Sequence, residues 1–165
     1  MSSPFTGVWK INLDESKVWD ADKQTWISPD PVGFEEVTMY VTDKYYDQEI
    51  LFGTNPTLRM TVSTAWDGDW VPYMVRDITY PDVNLPKLPK MELGPEAAPE
   101  IGQPYGWVKM MYINDGFHYR LNRANDGNSP TYLMSRRMHD DERSYTATVS
   151  NPSGDVVIQR RFDRH

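Results

Sequence analysis

Several side chains able to do chemistry fall inside stretches of alternating apolar residues: Arg76, Arg136, Tyr46, Tyr119, Tyr132, Gln48 and His118. An unpaired guanidinium in a dry interior costs several kcal/mol, on the order of a buried ion. Two inward arginines, Arg76 and Arg136, therefore require an anion, carbonyl oxygens or water. The planar fork of arginine suits a carboxylate, and tyrosine hydroxyls complete such a set. His118 brings the natural proton shuttle near neutrality. Turned inward, it would sit beside a tyrosine-rich pocket and lead the candidates for acid–base catalysis, which also include Tyr119 and Tyr46. In "GFHYR", however, Phe117 and Tyr119 form the more apolar set, which sends His118 and Arg120 to the outside. Other chemistries lack their residues. There is no cysteine, and His118, His139 and His165 are scattered, so neither a thiolate nor a metal-ligand set is expected. Asp140-Asp141-Glu142 reads as a solvated turn. Phosphate-binding glycine loops and Gly-x-Ser-x-Gly elbows are missing, and no cofactor is expected.

The elements that must position these groups are strands. The hydrophobic period is two nearly throughout. Candidate strands run over Gly7–Leu13, Phe34–Val41, Tyr45–Phe52, Thr57–Trp66, Trp70–Tyr80, Tyr105–Ile113, Phe117–Leu121, Tyr132–Met138, Ser144–Ser150 and Asp155–Phe162. Turn signals of hairpin quality separate many of them, such as Asn114-Asp115-Gly116 and Asp126-Gly127-Asn128. Asp14–Val18 could form one helical turn capped by Asp14. A meander of this length buries its apolar face most simply by closing into a barrel, which also removes exposed edges. The expected fold is all-β: one antiparallel up-and-down barrel of about eight to ten strands, forming a single domain over residues 1–165, with a long proline-rich loop.

Inside and outside alternate along each barrel strand. Taking the more apolar set as interior places Tyr46, Gln48, Ile50 and Phe52 inside, and likewise Leu58, Met60, Val62, Thr64 and Trp66. The same rule turns Trp70, Met74, Arg76, Ile78 and Tyr80 inward, with Phe117, Tyr119 and Leu121, and with Tyr132, Met134, Arg136 and Met138. One strand is undecided: Trp107, Lys109 and Met111 compete with Val108, Met110 and Tyr112. The candidate binding set is therefore Arg76, Arg136, Tyr132, Gln48, Trp66, Trp107 and Lys109. A one-residue slip or a bulge would invert any of these assignments.

Composition narrows the partners. Of 165 residues, 39% are hydrophobic and 25% charged, a globular balance, and the 13% aromatic content suits the lining of a barrel. A net charge of −7 argues against nucleic acid and anionic membrane surfaces. No stretch has the length of a spanning helix and the start lacks a signal-peptide pattern, so a cytoplasmic location is expected. The segment Pro81–Pro104 holds six prolines and is neither strand nor helix. It reads as a surface loop, a lid over the barrel mouth, or an arm that would make a homodimer.

The opening "FTGVWKINLDESK" carries Gly7, Trp9, Asn12, Ser16 and Lys17. It resembles the first strand of the lipocalin and calycin superfamily. It is most similar to small bacterial lipocalin-like domains that begin Gly-x-Trp-x-x-Asn followed by Ser-Lys. With about ten strands the chain is also similar to fatty-acid-binding and nitrobindin-like barrels. The resemblance implies that a basic residue of the last strand, Arg160 or Arg161, lies over Trp9. It also implies an interior arginine–tyrosine grip on a carboxylate. The expected guest is a small hydrophobic or aromatic molecule bearing a carboxylate, phenol or carbonyl. Two functions follow: a cofactor-free lyase, isomerase or hydrolase with His118, Tyr119 and Tyr46 as its acid–base groups, or a binding and carrier protein without chemistry.

Overall fold

A computed structural model describes residues 3–54, 56–79, 89, 91–95 and 98–165. Its elements are all strands: β1 (Gly7–Asp20), β2 (Thr25–Ile27), β3 (Glu35–Val41), β4 (Tyr45–Phe52), β5 (Thr57–Ala65), β6 (Val71–Thr79), β7 (Pro104–Asn114), β8 (Phe117–Ala124), β9 (Pro130–Met138), β10 (Ser144–Ser150) and β11 (Val156–Arg164). Neighbours in sequence pair antiparallel from β3 to β11, β1 pairs with β3, and β11 returns to β1. The result is a closed barrel of ten strands, with β2 as a short additional strand on the far end of β1. Closure joins Trp9 to Arg164 and Ile11 to Phe162 in register.

Short polar side chains fix the turns. Asn114 Oδ1 accepts from the Gly116 amide at 2.9 Å, Asp126 Oδ1 from the amides of Asn128 and Ser129 at 2.8 and 2.9 Å, and Asn151 Oδ1 from those of Ser153 and Asp155 at 3.1 and 3.0 Å. Each side chain replaces a backbone turn bond that the tight reversal leaves unmade.

One end of the barrel is solid. Trp9 is fully buried, its Nε1 donates to the Phe5 carbonyl at 2.8 Å, and its ring meets Tyr145 edge-on at 5.0 Å. Tyr145 stacks on Phe162 at 4.9 Å. The basic residue over Trp9 is Arg164, 4.2 Å from the ring, not the expected Arg160 or Arg161. Arg164 also donates to the carbonyls of Pro4, Thr6 and Glu142 at 2.7, 3.0 and 3.0 Å, which ties the chain's two ends together. Gly7 permits this: a Cβ there would lie 2.7 Å from Arg164 Nη1, and its φ of +140° disfavours other residues. Arg161 points to the surface and pairs with Asp163.

The expected helical turn at Asp14–Val18 is instead an irregularity inside β1. Pairing to β11 jumps from Asn12↔Arg161 to Lys17↔Gln159, and Ser16 Oγ closes the bulge onto the Asn12 carbonyl at 2.6 Å. β1 then runs on to Asp20 and forms a hairpin with β2, where Trp19 and Trp26 pack at 5.6 Å under Lys17.

Candidate functional site

The open half of the barrel holds a cavity of about 190 Å³. Every barrel strand except β1 contributes to its lining. Ile50, Met60, Val108, Met134 and Ile158 make the apolar walls, and Tyr73, Arg120, Arg136, Tyr132, Glu35 and Arg160 supply the polar groups. The segment Met91–Pro95 completes the lining from outside the strands, with Met91 and Leu93 packed against the core. Gly94 seats it: its amide donates to the Thr131 carbonyl at 3.1 Å, and a Cβ at this position would stand 2.2 Å from the Pro130 oxygen. This part of the proline-rich loop thus lies against β9 and contributes to the cavity wall. Pro81, Pro86 and the residues around them lie outside the described residues, as does Tyr80.

Arg120 on β8 and Arg136 on β9 dominate the electrostatics. They are 5% and 3% exposed, and neither has a carboxylate ion-pair partner among the described residues. Arg120 Nη2 donates to the Tyr132 hydroxyl at 3.0 Å, and its guanidinium lies 5.1 Å over the Tyr73 ring. Its Nε and Nη1 have no hydrogen-bond partner. Arg136 Nη1 donates to the Tyr46 hydroxyl at 2.5 Å and Nη2 to Gln48 Oε1 at 2.9 Å, while Nε is unpartnered. Gln48 also accepts from the Tyr46 hydroxyl and donates from Nε2 to Tyr73 at 2.6 Å. Tyr46, Gln48 and Tyr73 therefore form a floor that fixes Arg136 while one N–H stays unused. Burial pushes the Tyr73 phenol far up, so it remains protonated.

The third interior arginine is satisfied. Arg160 donates from Nε and Nη2 to Asp30 at 2.7 and 3.3 Å, and its Nη1 lies 3.3 Å from Glu35 Oε2. That last contact lacks hydrogen-bond alignment, so Glu35 Oε2 is left without a hydrogen bond. Burial raises the Glu35 pKa against the pull of Arg160, and Asp30 adds to the rise.

His118 does face inward, at 1% exposure, but it belongs to the solid end. Its ring sits among Phe5, Trp66 and Tyr46 at 4.6, 5.3 and 5.7 Å, with Arg136 Nη1 at 3.4 Å from Nε2. Burial, followed by the charges of Arg136 and Arg120, holds its pKa well below the usual imidazole range. It is a neutral ring in a packed aromatic cluster and does not line the cavity.

The sequence-derived site is thus brought together only in part. Arg136, Tyr132, Gln48 and Tyr46 are where the alternation put them. Trp66 is half-buried in the solid end, its Nε1 donating to the Thr42 carbonyl at 2.7 Å. Four other assignments are corrected. Arg76 is exposed and donates to Thr61 Oγ1 at 2.8 Å on the outer wall. The register jumps there from Arg59↔Asp77 to Met60↔Val75, so Arg76 is the extra residue of a bulge, and Tyr73 and Val75 take the inside. Tyr119 alternates with the buried His118 and Arg120, so β8 is inverted relative to the apolar rule; Tyr119 packs on Phe117 at 4.9 Å outside. Trp107 and Lys109 also sit on the outer wall, because Gly106, Val108 and Met110 fill the inside of β7. The charged cavity-lining residues that alternation missed include Arg120 and Glu35. The signal available for Arg120 was its spacing: His118, Arg120 and Asn122 form a polar set on β8 opposite Arg136 of β9, in register at His118↔Arg136.

Fold and site together define a closed antiparallel ten-stranded barrel with an internal cavity, consistent with the lipocalin and fatty-acid-binding type. No protein-family model matches the sequence, and no curated protein matches it either. Solved structures do resemble the fold. The fluorescent protein UnaG aligns over 98% of this chain and 97% of its own, with a TM-score of 0.55 and 13% identity. A point variant of UnaG aligns over 98% and 96%, with a TM-score of 0.59 and 13% identity.

Proposed function

We propose that this protein binds a small hydrophobic acid inside the barrel, its carboxylate held by Arg120 and Arg136 with Tyr132 and its body against the apolar walls. The observation that carries this reading is the pair of buried guanidinium groups with three unpartnered N–H donors at one ring-sized cavity. Each unsatisfied buried donor costs about 1–3 kcal/mol. An anionic oxygen pair relieves that cost and adds charge-assisted hydrogen bonds. Cavity size supports a compact guest: a void of about 150 Å³ takes up benzene, so 190 Å³ suits a ring with a carboxylate better than a long acyl chain. A binding role is favoured over acid–base catalysis because His118 is walled off from the cavity and Tyr119 lies on the opposite side of the barrel wall.

The test is thermal denaturation and calorimetry with benzoate, hexanoate and the neutral near-isostere benzamide. At a hundredfold excess over Kd, a bound acid adds about 2.7 kcal/mol, or roughly 5–10 °C in Tm for a chain of this size. Benzamide should give little. Arg120→Met should abolish the shift and raise the Tm of the unliganded protein, since it removes a buried unpaired charge. A purely structural Arg120 would make that variant less stable. Equal shifts from benzoate and benzamide would refute anion recognition.

A further inference from the structure

Among the described residues Glu35 is the one carboxyl on the cavity wall, and the anion grip at Arg120 and Arg136 makes no use of it. β3, which carries it, stands five places from β8 around the ring of ten strands. Glu35 therefore faces Arg120 across the lumen, not alongside it. Its side chain is 7% exposed, and Oε2 makes no hydrogen bond. Arg160 gives it charge but no aligned hydrogen bond: Nη1 lies 3.3 Å from Oε2 out of line, while Nε and Nη2 are held by Asp30 at 2.7 and 3.3 Å. The cavity thus has unmet hydrogen-bonding capacity of opposite kinds at its two sides: cationic donors at one, a carboxyl oxygen at the other.

Resting on the reading that the cavity binds an acid, we propose that the guest is a ring-sized hydroxy acid whose hydroxyl, at the end away from its carboxylate, is received by Glu35. A hydroxyl is the group that fits Glu35 in either protonation state. It donates to the carboxylate and accepts from the carboxylic acid. An ammonium group would stand beside Arg160 and be repelled. The available volume sets the size. A ring, a carboxylate and one small substituent suit about 190 Å³, and Ile50, Met60, Val108 and Met134 are among the apolar walls around it. Met91 and Leu93 then adjoin a guest whose polar atoms are all engaged.

The experiment compares para-hydroxybenzoate with para-toluate, its methyl near-isostere, and with benzoate, by calorimetry on the parent protein, Glu35→Gln and Glu35→Met. In the parent the hydroxy acid should bind about tenfold or more tightly than the toluate, the effect of one hydrogen bond to a buried polar group. Glu35→Gln, whose amide still accepts from a hydroxyl, should keep most of the preference. Glu35→Met should bring the ratio to about one while still binding benzoate. Equal affinity for the hydroxy and methyl acids in the parent would mean that water satisfies Glu35, and would overturn the proposal while leaving the acid-binding reading intact. The parent comparison decides this even where a Glu35 variant does not fold. Failure of all three acids to bind would remove the acid-binding reading itself, and this proposal with it.

Discussion

Gly94→Ala should open the cavity wall while sparing the barrel. The added Cβ would stand 2.2 Å from the Pro130 carbonyl oxygen and 2.7 Å from the Thr131 Cα, both backbone atoms of β9 that cannot yield. The segment must lift, and its amide bond to Thr131 at 3.1 Å is lost. That bond is worth about 1 kcal/mol. Met91 and Leu93 are half-buried, so withdrawing them forfeits about half of the 1.5–3 kcal/mol of a fully buried side chain, or ~1 kcal/mol each. The gross loss is about 3 kcal/mol. Against it stands the freedom regained by the segment, which offsets most of that loss. The Tm should therefore fall by no more than about 4 °C. The docked population should nevertheless drop by about tenfold or more, since each 1.4 kcal/mol that the clash adds to the docked form is a factor of ten. Two measurements report it: amide exchange at residue 94, which should lose its protection, and the release rate of a bound acid, which should rise at least tenfold. Unchanged protection and unchanged release would show that Gly94 is not what seats the segment.

Other perturbations test the frame around the cavity. Arg164→Ala removes three carbonyl contacts and the cover of Trp9, and should cost about 2–3 kcal/mol by denaturant titration; Gly7→Ala, which displaces the same guanidinium, should cost a similar amount, and the double variant less than the sum. Asp30→Ala leaves Arg160 with only its misaligned contact to Glu35. Breaking a buried pair in this way costs about 3–5 kcal/mol, seen as a Tm drop of roughly 10 °C. His118 stays neutral when folded but can take a proton once unfolded, so the unfolded chain binds more protons below the ordinary value of 6.5 and stability should decline as pH falls through that range. Its ring resonances should not titrate near neutrality, and a midpoint close to the ordinary value would contradict its burial between Phe5, Tyr46 and Trp66.

Strand existence was readable because hairpin turns and period-two alternation agree: nine of the barrel strands lie within a few residues of where the alternation puts them. β1 is the exception, twice the expected length, since its bulge at Asn12–Lys17 looks locally like a helix cap followed by a charged turn. Sidedness was less readable, for a physical reason. Placing the more apolar set inside assumes a dry core, and this barrel holds a polar-lined cavity. On β8 the rule therefore chose Phe117, Tyr119 and Leu121, whereas the interior takes His118, Arg120 and Asn122. The rejected apolar face is made tolerable outside by mutual cover, Tyr119 on Phe117 and Phe117 under Arg137 at 4.1 Å. Two interior arginines were foreseeable, but one was misidentified. Arg76 and Arg120 look alike in their local patterns, and only register separates them.

The bulge at Arg76 makes β6 tolerant of both substitution and shortening at that one point. The surplus residue lets Tyr73 and Val75 face the lumen while Arg76 and Asp77 both stay on the surface and Ile78 returns toward the core. Excising it would leave a plain strand with Val75 inside, Asp77 outside and Ile78 inside, so every later side chain would keep its present side. Met60 and Arg59 would then face consecutive partners, with nothing left unpaired between them. Natural variation at this point should thus include loss of the residue as well as changes of its side chain.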